Sequence, residues 1–438
     1  MTTGIRGALL DFVADPVAVP DDRSVRFYPD GLLVIRDGQI KALGTYSDLI
    51  GQYPGCPVTH YPGRMILPGF IDTHVHYSQL SVMASYGEHL LKWLESYVFP
   101  AEARFEEEAY ARTVASLFLD ELLRNGTTTA AVFATIHAQA VDILFEECRS
   151  RNMRMIAGKV MMDRHAPPYL LDTPIQSYDE SKRLIRKWHG NARLRVAVTP
   201  RFAITSSREQ LDAAGQLIRE FPDVHVQTHL SETTDETRQT LALFPECRDY
   251  LQVYEQSGLV TDRSIFAHAI HLSDSEWDRL SQAGAAVAFC PSSNLFLGSG
   301  LFNLEKSRLP IPPVKIGMAT DIGAGTSLSL PHTLGEAYKV LKLQGQPLSA
   351  LQGFYLLTLG GARALALDDR IGNFEPGKEA DIVVLNPTAT PLLSFRNAGR
   401  SLDSIRDLTD QLFTIMCMGD DRVITATYVN GTCSYSTL

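Results

Sequence analysis

His74 and His76 stand two positions apart at the end of the run Phe70-Ile71-Asp72-Thr73-His74-Val75-His76. In an extended strand, residues i and i+2 point to the same face and lie ~6.6 Å apart along the chain. Both imidazoles can therefore turn toward one cation while Val75 packs on the opposite side. The alternative is a strand end with two chance histidines. The spacing favours a metal site.

Three further groups that could share this site end apolar segments elsewhere in the chain; they are His229, His268 and Asp321. A buried imidazole or carboxylate is costly at such a position unless a metal ion or a hydrogen-bond partner compensates it. In parallel α/β barrels, catalytic groups come from the carboxyl ends of several strands. We therefore expect these side chains to meet His74 and His76 at one end of a barrel.

Short apolar segments alternate with longer amphipathic segments through the middle of the chain, which is typical of a parallel sheet with crossover helices. Eight strand candidates predict an α/β fold closed as a (β/α)8 TIM-type barrel. Residues 80–125, which follow the first candidate, have helical spacing and a break at Phe99-Pro100, and we expect them to roof the site. The candidates span residues 65–76, 127–133, 153–162, 194–202, 224–230, 265–268, 285–290 and 315–321.

Both ends of the chain are rich in strand signals. Apolar runs flank Asp37-Gly38 near the start, a dipeptide typical of a tight hairpin turn. Residues 380–385 and 423–429 give similar runs near the end, the second leading into Asn430-Gly431. We predict a small β-sandwich domain from residues 1–66 and 376–438, and a barrel domain over residues 67–375.

The composition is that of a folded globular protein, with 45% hydrophobic and 21% charged residues among 438. A formal charge of -10 argues against nucleic acid or an anionic membrane as a partner, because both require clustered Lys and Arg. We recognise no secretory leader and no membrane-spanning apolar run. We therefore expect a cytoplasmic protein with a small neutral substrate.

Together these motifs resemble the amidohydrolase superfamily over essentially the whole chain, from the N-terminal hairpin to Pro376-Gly377-Lys378-Glu379-Ala380-Asp381 and the last strand. Within it, the chain resembles the guanine deaminase family. The resemblance implies a hydrolase that converts guanine and water to xanthine and ammonia in purine catabolism, and a homodimer. The segments that carry it are residues 72–79, 86–94, 99–102, 199–202 and 320–325.

By the same resemblance, one zinc ion per chain is held by His74, His76, His229 and Asp321. Two-metal members typically bridge their ions with a modified Lys at the end of the fourth strand. Here that strand ends in Thr199-Pro200-Arg201-Phe202, and a guanidinium cannot serve as this ligand. A single metal ion is therefore expected. We interpret Lys159, inside the third strand, as structural.

The resemblance also implies the catalytic roles. Asp321 would accept a proton from the attacking water, and His268 would stabilise the developing charge. Glu232, three residues after His229, would shuttle protons to the ring nitrogen and the leaving amine, which loss of ammonia requires. The alternative for Glu232 is that it opens an acidic segment and only caps a helix.

For the substrate, the resemblance implies that Gln79 and Arg201 read the polar edge of the purine and that Phe202 stacks on its face, beside His268 and Glu232. An amide offers a donor and an acceptor, a guanidinium suits a carbonyl oxygen, and an aromatic ring suits a flat base. Two alternatives stay open: Arg201 makes a structural ion pair, and Phe202 belongs to the core.

Two rival functions remain. The first is another one-metal hydrolase of this architecture, acting on a triazine, a pterin, cytosine or an adenosine thioether. The pair Gln79 and Arg201 argues against these substrates. The second is a scaffold without catalysis. The presence of all the metal ligands together with Glu232 argues against it, because a site that no longer catalyses a reaction has no physical reason to keep them.

Overall fold

The computed structural model describes residues 2–86 and 89–438. Gly87 and Glu88, which belong to the family-like segment 86–94, lie outside the described residues. The strands are β1 Thr2–Phe12, β2 Val25–Arg36, β3 Gln39–Thr45, β4 Val58–Pro68, β5 Phe70–His76, β6 Thr127–Phe133, β7 Arg154–Gly158, β8 Val160–Met161, β9 Arg195–Pro200, β10 His225–Leu230, β11 Ser264–His268, β12 Ala286–Phe289, β13 Lys315–Met318, β14 Ile382–Leu385, β15 Ile424–Val429 and β16 Thr432–Ser436.

Helices connect the strands of the middle region and cover them. The helix Arg208–Glu220, for example, is capped by the Ser207 side chain and buries Leu211, Ala214 and Leu217. The α-helices are Asp21–Ser24, Tyr46–Leu49, Leu90–Trp93, Phe99–Ala103, Glu108–Arg124, Ala138–Ser150, Pro174–Trp188, Arg208–Glu220, Thr234–Leu243, Tyr250–Gln256, Asp274–Ala283, Pro291–Phe296, Leu330–Leu343, Ala350–Leu357, Leu359–Ala364, Pro391–Arg396 and Ile405–Met418.

The middle strands form a parallel barrel in the order β5-β6-β7-β9-β10-β11-β12-β13, with β8 paired to β9. Every residue of β5 and β6 is buried, as expected for parallel strands covered on both faces. Beyond β13 the backbone N–H of Asp321 donates to the carbonyl of His74 at 3.0 Å, which brings the first and last strands together. The (β/α)8 prediction is confirmed.

Two of the predicted strands are each divided into two strands in the structure. The candidate over residues 65–76 is two strands in two sheets, because Pro68 offers no N–H and the N–H of Gly69 donates to the carbonyl of Asp381 at 2.9 Å. The candidate over residues 153–162 is interrupted at Lys159 and divides into β7 and β8. The buried ammonium of Lys159 pairs with Asp172, in keeping with a structural role.

Strands from the two chain ends form one seven-stranded sheet in the order β16-β15-β14-β4-β1-β2-β3. The hairpin between β2 and β3 turns at Asp37 and Gly38, both with positive φ as predicted. This sheet has its own apolar core around Ile5, Leu33 and Ile382. The proposed boundaries of a separate β domain stay a prediction.

A buried ionic cluster joins this sheet to the amino ends of the barrel strands. Arg154, the first residue of β7, donates from Nε to Glu379 Oε2 at 2.7 Å, and Arg193 donates from Nε to the same oxygen at 2.8 Å. Arg193 also pairs with Asp381. We call these four residues the basal cluster.

The segment between β5 and β6 covers the other end of the barrel. It contains the helices Leu90–Trp93 and Phe99–Ala103, joined by a π-helical turn over Leu94–Val98. Pro100 lies in the first turn of its helix, where a missing N–H is tolerated. In the described part of the chain no helix combines the length and the apolar character needed to cross a bilayer.

Candidate active site

Three imidazoles and one carboxylate converge at the carboxyl end of the barrel. The Nε2 atom of His76 lies 3.2 Å from Nε2 of His74 and 3.2 Å from Nε2 of His229. Asp321 Oδ1 lies 3.2 Å from Nε2 of His74 and 3.4 Å from Nε2 of His76. One ligand atom from each residue falls within 4.8 Å of all the others. The four predicted metal ligands are thus brought together from β5, β10 and the segment after β13.

This donor set fits a metal ion. The Nδ1 atom of His229 donates to the carbonyl of Arg201 at 2.7 Å, so its Nε2 lone pair faces the cluster. Burial lowers the pKa of His74, His76 and His229, which keeps the imidazoles in the neutral form that a metal requires. Imidazole nitrogens with a carboxylate are typical ligands of zinc.

A buried Asp72 supports this cluster from beneath. Its carboxylate accepts hydrogen bonds from the backbone N–H groups of His74, at 3.2 Å, and Thr320, at 3.1 Å. It therefore ties the β5 segment that carries the histidines to the segment that carries Asp321. Three residues of the site, Ser231, His268 and Asp321, have positive φ values of 51°, 73° and 50°. Such backbone strain persists only where the surrounding structure holds it.

Glu232 is buried beside the cluster, and burial raises the pKa of its carboxyl to about 7. Its Oε1 accepts a hydrogen bond from the Ser299 hydroxyl at 2.8 Å, and its Oε2 lies 3.6 Å from Nε2 of His268. The side chain faces the site. A carboxyl whose pKa lies near neutrality can both take up and release a proton.

The neighbouring helix is capped by other residues. Thr233 and Glu236 form a capping box at the start of helix Thr234–Leu243. The Glu236 carboxylate also accepts the backbone N–H of Glu232 at 2.7 Å, which fixes where the Glu232 side chain begins. The helix-capping alternative for Glu232 is therefore not supported.

His268 ends β11 and is completely buried. Its Nδ1 donates to the Asn294 side-chain oxygen at 2.9 Å, so Nε2 turns toward Glu232 and lies 3.8 Å from Asp321 Oδ2. Burial lowers the pKa of this imidazole, but the two carboxylates outweigh burial and the net pKa is raised. His268 can therefore donate a proton or hydrogen bond into the site.

Gln79 and Arg201 line the same pocket, and a buried Glu102 connects them. The Nη1 atom of Arg201 donates to both carboxylate oxygens of Glu102, at 3.0 and 2.8 Å. The Nε2 atom of Gln79 donates to Glu102 Oε1 at 3.3 Å. The ion-pair alternative for Arg201 is thus present in the structure, and Arg201 also lines the pocket.

The pocket encloses about 400 Å³, its opening included. Every predicted site residue except His74 lines it. Phe202 packs with the apolar wall, and its ring centroid lies 6.4 Å from that of His229. Phe202 is therefore part of the apolar core and also lines the pocket. The apolar wall consists of Leu90, Trp93, Leu94, Leu297 and Ala324.

Sequence reasoning missed three residues that contact site residues, and a fourth, His271, that contacts one of these three. Glu102 stands in the family-like segment 99–102, but the pattern indicates no partner for it. Asn294 and Ser299 follow β12, a strand without a predicted site residue. The sequence around His271 favours a surface or capping role, yet its Nε2 donates to the Ser299 carbonyl at 2.8 Å. These contacts join residues remote in the chain, and local spacing carries no signal for them.

Comparison with known proteins places this geometry in a family. Residues 65–433 match the amidohydrolase family. The guanine deaminase of Escherichia coli (strain K12) is 52% identical over 434 residues, which are 98% of this chain and 97% of that protein. A solved structure of E. coli guanine deaminase matches with a TM-score of 0.95 at 51% identity, covering 100% of both chains. The guanine deaminase from C. acetobutylicum, solved with guanine bound in its active site, matches with a TM-score of 0.88 at 28% identity, covering 99% of this chain and 100% of that one. The chain therefore belongs to the amidohydrolase family and, within it, to the guanine deaminases.

Proposed function

We propose that this chain hydrolyses guanine to xanthine and ammonia, with one zinc ion held by His74, His76, His229 and Asp321. The observation that carries the proposal is the meeting of this donor set with Glu232 in an apolar-walled pocket. The guanine deaminases that match over nearly the whole chain, one of them solved with guanine bound, support the choice of substrate.

A zinc ion in such a site, when bound, lowers the pKa of a water molecule toward about 7 and so supplies the nucleophile. The carboxylate of Asp321 would accept a proton from the water molecule that attacks C2 of the purine, and this proton would return to Glu232 before the next cycle. The Nε2 atom of His268 lies 3.8 Å from Asp321 Oδ2. From this position it donates a hydrogen bond to the nucleophile and stabilises the negative charge that develops.

Glu232 moves the protons that expel ammonia. Its carboxyl gives a proton to the ring nitrogen beside C2, so that the carbon becomes tetrahedral without a buildup of negative charge on the ring. It then transfers a proton from the attacking oxygen to the amino group, which leaves as ammonia. A pKa of about 7 suits both transfers, because a shuttle works best near the operating pH.

Gln79, Arg201 and Phe202 hold the ring in place. Arg201 donates to the carbonyl oxygen at C6, Gln79 donates to a ring acceptor, and Phe202 packs on the base. Their burial excludes water from the polar edge of the substrate, which makes an unmatched ring costly to bind. This argument favours guanine over the triazine and cytosine alternatives.

The direct test is to purify the chain, count its metal ions, and follow guanine by ultraviolet absorbance while ammonia is measured independently. We expect about one zinc per chain and one ammonia released per xanthine formed. A triazine, a pterin, cytosine and an adenosine thioether serve as competing substrates. Turnover of any of these with no turnover of guanine would overturn the proposal.

We also propose that the chain forms a homodimer, as its family resemblance implies. Light scattering coupled to size-exclusion chromatography is expected to give twice the chain mass of 48.4 kDa. A monomer at micromolar concentration would contradict this. The cytoplasmic location stays a prediction.

A further inference from the structure

Glu102 is a completely buried carboxylate that the mechanism above does not use. It lies on helix Phe99–Ala103, in the segment that covers the barrel, and its side chain is 0% exposed. It accepts hydrogen bonds from Nη1 of Arg201 at 3.0 and 2.8 Å and from Nε2 of Gln79 at 3.3 Å. One carboxylate therefore holds both side chains that read the polar edge of the substrate.

The orientation of the Gln79 amide is fixed from both ends. Its Oε1 accepts the backbone N–H of Gly323 at 3.1 Å, a group that can only donate. Its Nε2 faces Glu102, and a carboxylate can only accept. The reversed amide would place donor against donor and acceptor against acceptor. The second N–H of Nε2 is thus the group that Gln79 can offer to a ligand.

The orientation of Arg201 is restricted in the same way. Nη1 is bound to Glu102, and the guanidinium carbon lies 5.6 Å from the ring centroid of Phe99, on the same helix as Glu102. A guanidinium has donors and no acceptor, so its remaining N–H groups are all that it can present. Gln79 and Arg201, held by Glu102, form what we call the donor wall.

We propose that Glu102 is a positioning residue that makes this wall present N–H groups alone, and that it thereby selects a ring with a carbonyl oxygen at C6. This inference rests on the proposed function and deepens it. Without the carboxylate, the amide of Gln79 can rotate and present its oxygen, and the guanidinium can swing away from its pocket position. A ring without the C6 oxygen loses less from that change, because it makes no contact with Arg201.

The test uses Glu102→Gln, which keeps the shape of the side chain and removes its charge. KM for guanine is compared with the inhibition constant of 2-aminopurine, a purine that carries the same amino group and lacks the C6 oxygen. We expect KM for guanine to rise about tenfold, the scale of one well-made hydrogen bond. The inhibition constant should rise less than about threefold, and kcat should change little, because Glu102 acts on binding rather than on the reacting carbon.

Three further variants keep the test decisive. Glu102→Asp retains the charge at a shorter reach and should give an intermediate KM. Arg201→Gln combined with Glu102→Gln should raise KM by less than the product of the two single effects, because Glu102 acts in part through Arg201. The double variant also removes the buried cation that the single variant leaves unpaired. Glu95→Gln, an exposed acid in the same segment, is the matched control and should match the parent protein.

A folded, metal-loaded Glu102→Gln protein in which guanine and 2-aminopurine weaken equally would overturn the inference. A double variant whose KM rises by the full product of the two single effects would do the same, because Glu102 would then act independently of Arg201. If the parent protein does not deaminate guanine, the proposed function fails instead, and the two failures are therefore distinguishable.

Discussion

Two glutamates, Glu232 at the carboxyl end of the barrel and Glu379 at the amino end, have their pKa values shifted in opposite directions. At the carboxyl end, Glu232 has no arginine partner among its described contacts, and burial raises its pKa to about 7. At the amino end, burial also acts to raise the pKa of Glu379, but Arg154 and Arg193 outweigh it and the pKa is lowered. Burial determines the pKa of Glu232, whereas the two arginines determine the pKa of Glu379, which is only partly buried.

This difference separates chemistry from stability. In the basal cluster each charge is met by an opposite charge, and the cluster holds β7 and the seven-stranded sheet in register. Around the pocket, two buried polar atoms of described residues, Nδ1 of His76 and Nε1 of Trp93, have no protein partner. The pocket thus keeps polar atoms without a protein partner, whereas the four charged groups of the basal cluster are paired with one another.

The largest effect is expected from losing a metal ligand at the carboxyl end. His76→Ala should lower the metal content well below one per chain and reduce guanine turnover by at least about 10³-fold, because the nucleophile is no longer generated at neutral pH. Metal analysis and a guanine assay measure this. Chelation of the parent protein should mimic the variant, and added zinc should restore only the parent. Full activity without metal would contradict the assignment.

At the amino end, Glu379→Ala should act on stability alone. Removing this carboxylate leaves Arg154 and Arg193 partly unpaired in a buried place, which typically costs about 3–5 kcal/mol. We expect the free energy of unfolding to fall by that amount while kcat per folded molecule is unchanged. Glu336→Ala, which breaks the solvent-exposed pair with Lys339, is the control and should cost less than about 1 kcal/mol. Equal losses in the two variants would erase the contrast.

Glu232→Gln should show the reverse pattern. Turnover of guanine is expected to fall at least about 10²-fold, the usual loss for a positioned proton shuttle. Metal content and the melting temperature should stay close to those of the parent, since the amide keeps the shape of the side chain. Glu209→Gln on an exposed helix start serves as the matched control. Undiminished turnover would remove Glu232 from the mechanism.

The smallest effect concerns acid stability. Because the folded-state pKa of Glu379 is lowered, its contribution is present above the unfolded pKa of about 4.3 and is lost as the pH falls through the lower folded value. The parent protein should therefore lose more stability than Glu379→Gln between pH 6 and pH 3, as measured by urea unfolding at each pH. Parallel losses would show that the arginines do not stabilise the charge.

Much of the fold could be predicted because each barrel strand is an apolar run of its own. The predicted strands differ from the observed ones where the local sequence pattern carries no information about contacts with distant residues. Residues 65–76 form one apolar run, but only pairing with Asp381 and β14 shows that the run changes sheets at Gly69. The break at Lys159 likewise depends on its buried partner Asp172.

The metal ligands could be predicted because an imidazole buried at a strand end is costly unless a metal ion or a hydrogen-bond partner compensates it. The residues that support these ligands could not be predicted from the sequence. Glu102 contacts Arg201 across 99 positions of sequence, and Ser299 contacts Glu232 across 67. Glu and Ser occur in so many surface roles that residue type alone selects no partner. The ion pair of Arg201 was one open alternative, and its coexistence with a place in the pocket could be seen only in three dimensions.

The junction between β4 and β5 has a consequence for anyone who wishes to trim or transplant the catalytic part of this chain. A single residue, Gly69, separates β4, which belongs to the seven-stranded sheet, from β5, which carries His74 and His76. If the barrel were expressed without the strands of the seven-stranded sheet, β5 would begin at a free chain end. We expect such a truncated protein to release its metal ion under conditions in which its helices are still folded. The terminal segments therefore hold the metal-binding strand in place.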